Sequence, residues 1–144
     1  MDKLTIRIWQ DTKFFSDDPG HVSLQIGEFE GHKDEENKGK DHKNNKMKGI
    51  GEQGIYISIW PQVTVKKFSI EDLFFYNLAQ DKNRCKKRKL VTFTFEITPE
   101  IAKDLKEEYE ELVNGSLKFQ LFASTFMKKD GAFNCVGIVA HLLD

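Results

Sequence analysis

A chain of 144 residues with 22 basic and 23 acidic side chains has a formal charge of -1. That length suits a single domain with its own core, and the charge balance argues against nucleic-acid binding driven by an overall field. No apolar run approaches the ~20 residues of a membrane span. The start, Met1 through Trp9, alternates instead of building the apolar centre of a signal peptide.

In chain order, Leu4–Trp9 alternates with period two and predicts a strand. Asp17-Asp18-Pro19-Gly20 is a turn signal, and His21–Ile26 follows as a second strand. From Glu30 to Lys48 charged residues and Asn dominate. A segment with so little to bury cannot offset its ordering entropy, so a charged flexible loop is expected at about 30–49, closed by Gly49, Gly51 and Gly54. Ile55–Trp60 is the next strand and Pro61 stops it. The two strands flanking the loop should pair as a hairpin.

Ser69 is placed to cap a short helix carrying Leu73, Phe74 and Leu78 and ending near Gln80, with Asp72 as a weak capping-box partner. A basic loop, Lys82–Lys89, comes next. Leu90–Ile97 is rich in β-branched and aromatic residues and reads as a strand. Thr98-Pro99-Glu100 starts a helix with a cap, an N1 proline and a first-turn acid. Ile101, Leu105, Tyr109 and Leu112 form its expected buried stripe, and Asn114-Gly115 ends it. Leu117, Phe119 and Leu121 alternate as a strand would, with a helix through Met127 as the alternative. Asp130-Gly131 turns the chain into a last helix opening at Cys135, whose Val136, Ile138, Val139, Leu142 and Leu143 should leave it largely buried. The chain stops at Asp144 directly after that helix, and whether it is a fragment of a longer protein stays open.

Two features carry chemistry. A cysteine at a helix N-terminus has its thiolate favoured by the helix dipole, and Cys135 holds that position. A histidine fixed at a strand end can take the thiol proton, and His21 opens its strand. Free N–H groups in the first turn of the last helix are ready oxyanion donors. Both residues also have a structural account: Cys135 as a small core side chain, His21 as a strand-end residue after a turn.

Gly20-His21 before an alternating strand, a second strand, and much later Asn134-Cys135 opening an apolar helix resemble circularly permuted papain-like proteins. These include permuted NlpC-type hydrolases, PPPDE-type peptidases and the lecithin:retinol acyltransferase-like group. The histidine precedes the cysteine, as in the permuted groups. Asn134-Cys135 is similar to the acyltransferase group's Asn-Cys motif, although Val136-Gly137 stands where that group has a polar pair. The resemblance implies one α+β domain over 1–144, an antiparallel sheet packed against helices and the catalytic cysteine on the C-terminal helix. It further implies a cysteine-dependent hydrolase of amide, isopeptide or ester bonds, with an acyl-enzyme on Cys135 and His21 as base. The alternatives are a non-catalytic interaction domain of the same fold and a lipid acyltransferase. Many such proteins orient the histidine with a polar residue on the following strand. Ile55–Gln62 contains no Asp, Glu, Asn or His, leaving Ser58 and Gln62 as polar candidates. A dyad, an orienting residue from elsewhere and a degenerate site all stay open. Trp60-Pro61 is expected to shape the cleft wall.

The remaining features read more plainly. Cys85 lies among cations and is expected to be an exposed surface thiol. The Lys82–Lys89 run is expected to be solvated, with contact to an acidic surface as the functional alternative. His32 and His42 lack metal-site spacing, and His141 reads as a helix-face residue. No cofactor and no metal are expected. The expected partner is a peptide, protein or acyl substrate, in a reducing, cytoplasmic setting. Delivery to another cell, the oligomeric state and the acyl acceptor stay open.

Overall fold

The computed structural model describes residues 1–10, 20–32, 45–61, 72–115, 117–119 and 132–143. It is a mixed α+β protein with three helices around an antiparallel sheet. The strands are β1 (Asp2–Trp9), β2 (His21–Gly27), β3 (Ile50–Gly51), β4 (Gly54–Ile57), β5 (Ile59–Pro61), β6 (Leu73–Phe75), β7 (Leu90–Ile97), β8 (Lys118–Phe119) and β9 (Ala132–Phe133). The helices are α1 (Leu78–Arg84), α2 (Pro99–Asn114) and α3 (Cys135–Leu143). The main sheet runs β3-β4-β2-β1-β7, while β5 with β6 and β8 with β9 form two small ladders.

Register decides which residues share a face, because directly opposed residues in a ladder point the same way. Leu4 opposes Ile26, Ile6 opposes Leu24, Ile8 opposes Val22, and Leu24 opposes Ile57. This face is covered by α2 and α3, whose Tyr109, Val113, Ile138, Val139 and Leu142 join those strand residues in one core. On the opposite face Trp9 opposes His21, Arg7 opposes Ser23 and Gln25 opposes Tyr56. There Trp9, Tyr56 and Trp60 pack with Leu78 and Cys85 of the α1 region in a second, smaller cluster. His21, the first residue of β2, therefore sits at the sheet end where the two layers meet.

The hairpin expected across the charged loop is present as the β2–β4 ladder. The loop centre, 33–44, lies outside the described residues, but its ends are anchored. The Glu30 carbonyl accepts from the Leu78 N–H at 2.8 Å, and the His32 carbonyl from the Asn77 side-chain amide at 2.6 Å. His32 is buried instead of solvated. At the other end Gly49 has φ +87°, and a Cβ there would lie 2.0 Å from the Tyr56 carbonyl oxygen. Only glycine lets the chain turn that close to β4.

Four element expectations need correction. Leu73 and Phe74 lie in β6, not in a helix, and pair with Pro61 and Trp60 of β5. The helix begins later, under a capping box: the Asn77 side chain accepts from the Gln80 N–H and the Gln80 side chain from the Asn77 N–H, both at 2.8 Å. Ser69 lies outside the described residues, as do the turns at 17–19 and 130–131, and Leu121. The expected strand Ile55–Trp60 is two strands, β4 and β5, with Ser58 between them. In α2, Ile101 is exposed, and Tyr109 and Val113 are the buried positions. In α3, Val136 and Leu143 face solvent, so that helix is amphipathic and not buried all round.

Candidate active site

His21 is 1% exposed and stacks on two indole rings. Its ring centroid is 4.0 Å from that of Trp60 and 5.5 Å from that of Trp9, both stacked. Trp9 arrives through its cross-strand pairing with His21, and Trp60 through β5. Stacking on two indoles restricts the ring's freedom to tip.

One edge is held by a hydroxyl and a carboxylate. His21 Nε2 lies 2.8 Å from Ser58 Oγ and 3.1 Å from Asp81 Oδ1. Asp81, on α1, is fully buried. Its Oδ1 accepts from the Ser58 hydroxyl at 2.8 Å and from the Trp60 indole N–H at 2.9 Å, and its Oδ2 accepts from the Tyr56 hydroxyl at 2.5 Å. A buried carboxylate is costly unless hydrogen-bonded; here three donors from alternate residues of one stretch, Tyr56, Ser58 and Trp60, converge on it. Burial raises the Tyr56 hydroxyl's pKa far above its ordinary value, reinforced by the charge of Asp81, so Tyr56 stays a donor.

Cys135 interacts with the same ring. The Cys135 side chain opens α3 beside the start of β2, with its Sγ 4.0 Å from the Gly20 carbonyl oxygen. Asn134 precedes it, and its Oδ1 accepts from the Gly137 N–H at 2.6 Å, closing the first turn. Burial alone would raise the Cys135 pKa. A hydrogen bond and the charge of His21, with the N–H groups of Val22 and Val136, outweigh burial and lower it. Burial alone would likewise lower the His21 pKa, but hydrogen bonds to Asp81 and Cys135 and the charges of both raise it. The two shifts have opposite signs and a shared cause: each group stabilises the charged form of the other. The arrangement favours a thiolate beside an imidazolium.

His21 and Cys135, both expected from the sequence, are thus together. Asp81 was missed. The orienting group comes not from the strand after β2 but from α1, with Ser58 as the intermediary and Gln62 outside the described residues. Asn77-Leu78-Ala79-Gln80 was the available signal: read as a capping box, it puts Leu78, Asp81 and Cys85 on one helix face. Cys85 is correspondingly corrected from an exposed thiol to a core residue, 1% exposed. His141 pairs with Glu108 of α2 at 3.5 Å, away from this constellation, and His42 lies outside the described residues. Among the described residues no cluster of three or more His, Cys, Asp or Glu is arranged to hold a metal. No helix of the described residues is long and apolar enough to cross a membrane. No protein-family model, curated protein or solved structure matches this chain.

Proposed function

We propose that this chain is a cysteine hydrolase of permuted papain-like architecture, acting on amide or isopeptide bonds through Cys135, His21 and Asp81. The observation that carries the reading is the imidazole shared by Asp81 and Cys135. Its Nε2 edge is held by Ser58 and Asp81, which leaves Nδ1 to exchange a proton with Cys135.

In this mechanism the Cys135 thiolate attacks the substrate carbonyl carbon, and the oxyanion draws on N–H donors at the start of α3. The tetrahedral intermediate collapses with cleavage of the C–N bond, as Nδ1 of the imidazolium gives its proton to the leaving amine. Neutral His21 then takes a proton from water as the water oxygen attacks the thioester. The carboxylic product leaves, and Cys135 returns as thiolate beside imidazolium. Asp81 holds the ring at Nε2 throughout. An ester substrate would follow the same steps with an alcohol as leaving group.

Iodoacetamide labelling tests this reading without a known substrate. Cys135 should label at about pH 6, where an ordinary thiol of pKa about 8.5 is almost wholly protonated. His21→Ala should slow that labelling by about tenfold or more. Cys85 should stay unlabelled until the protein unfolds. Native Cys135 that reacts no faster at pH 6 than a free thiol would remove the enzyme reading and favour a non-catalytic interaction domain.

A further inference from the structure

Six of the eight residues from Lys82 to Lys89 are Lys or Arg, on a chain whose formal charge is -1. This basic segment reaches, at its two ends, the neighbourhood of both indoles that stack on His21. It starts in the last turn of α1, three residues before the end of which stands Asp81. There the Arg84 guanidinium lies over the Trp60 ring, 4.0 Å from its centroid, and donates to the Tyr76 hydroxyl at 2.9 Å. It ends at Lys89, whose carbonyl accepts from the Gln10 N–H at 2.8 Å, next to the Trp9–Leu90 pair of the β1–β7 ladder. Trp60 and Trp9 are those two rings. In the middle Cys85 is buried in the same aromatic cluster and pins the segment down.

The cations themselves are turned outward. Lys82, Arg84, Lys86, Lys87 and Lys89 are all exposed. None of these five forms an ion pair among the described residues. Arg84 is the most ordered of them, since ring stacking and the Tyr76 hydroxyl fix its plane and leave further N–H donors open. Two contacts of 4.0 Å through Trp60 keep this guanidinium within about 8 Å of the imidazole centre, no more than the reach of two to three extended residues.

We propose that Lys82–Lys89 is the substrate-recognition rim of this site and selects an acidic polypeptide, with Arg84 taking a carboxylate within about three residues of the scissile bond. This deepens the hydrolase reading and rests on it for the words "substrate" and "scissile". A peptide is favoured over nucleic acid or lipid because the fixed guanidinium stands within a few residues of a centre built to attack a carbonyl carbon. Planar, pre-ordered Arg also suits a carboxylate fork.

The test measures binding in the Cys135→Ala chain, so it is independent of turnover. The probe is a fluorescein-labelled peptide with four consecutive Glu, compared by anisotropy with its Gln counterpart. The Glu peptide should bind about tenfold tighter at low salt, and the advantage should shrink as the Debye length falls from about 30 Å to about 8 Å. Arg84→Gln should weaken it by about tenfold. Lys86→Gln with Lys87→Gln, two exposed loop positions with no bearing on folding, should weaken it by roughly threefold. Equal affinity for the Glu and Gln peptides overturns the proposal. So does tighter binding of a single-stranded RNA or of vesicles rich in anionic lipid, which would reassign the rim to that partner. Selective binding of the Glu peptide together with an unreactive Cys135 in the labelling experiment would keep the rim and discard the hydrolase.

Discussion

Ser58 has one hydroxyl hydrogen, and it goes to Asp81. Toward His21 the same oxygen can then only accept, so the nitrogen 2.8 Å away, Nε2, must carry a proton. That fixes the tautomer and leaves Nδ1 as the basic nitrogen. Asp81→Asn tests this at the residue scale. Asp81 raises the His21 pKa, so removing its charge lets that pKa fall, and the imidazolium is lost at lower pH. With less positive charge beside it, the Cys135 pKa rises from its lowered value. Both limbs of the pH profile of kcat/KM should therefore move inward, with the maximum reduced by roughly 100-fold. A profile scaled down with unmoved limbs would mean that Asp81 acts only on the fold. Asp81→Ala is the less informative variant, because it strands the Tyr56, Ser58 and Trp60 donors and should cost several kcal/mol of stability. Ser58→Ala should cost less activity than Asp81→Asn, since the carboxylate remains 3.1 Å from Nε2.

Among the elements, α2 bears on the site through α3, against which it packs, and through the sheet, where one hydroxyl shows how. Tyr109 is fully buried, and its hydroxyl donates to the Lys48 carbonyl at 2.6 Å, next to the Gly49 turn. Tyr109→Phe leaves that carbonyl without its donor and should lower stability by about 1–3 kcal/mol, read as a lower urea midpoint with unchanged slope. Gly49→Ala strains the backbone of the same turn and places a Cβ against Tyr56, so it should lower the midpoint further. The elements were legible in the sequence to different depths. β1, β2, β7 and the start of α2 follow from local signals, period-two alternation and the Thr98-Pro99 cap, which need no tertiary context. The stretch 73–84 does not. Leu73–Phe75 becomes a strand because β5 offers it a partner, and its apolar residues suit either state. The Ile101 misplacement is one of phase: the stripe through Tyr109 continues to Val113, and rotating the helix to bury that pair turns Ile101 outward. Asp81 was illegible as a functional residue because an isolated carboxylate has no pattern. Tyr56, Ser58 and Trp60 nonetheless alternate as three donors on one side of a strand, and that side needed an acceptor.

At the scale of the whole molecule, the candidate site is a joint between two layers. Asp81 and Trp60 belong to the α1 side, Cys135 to the layer of α2 and α3, and His21 with Trp9 to the sheet between them. Neither layer holds the constellation alone. The Gly20–Cys135 contact also spans 115 residues of sequence, so the site cannot form before that long loop closes. The weakest link is α3. It has nine residues, too few to persist as an isolated helix in water, and it stays helical through Ile138, Val139 and Leu142 docked on the sheet. Low urea concentrations should therefore suppress Cys135 labelling at pH 6 before far-UV circular dichroism changes, because lifting one short helix removes little ellipticity. Coincident loss of both signals would make α3 part of a single cooperative unit. An undocked Cys135 has no imidazolium and no Val22 N–H beside it and is an ordinary thiol. Its acidity is thus a gauge of tertiary integrity: under the proposed mechanism, a copy of this chain whose last helix has lifted carries a thiol that is no longer poised to attack.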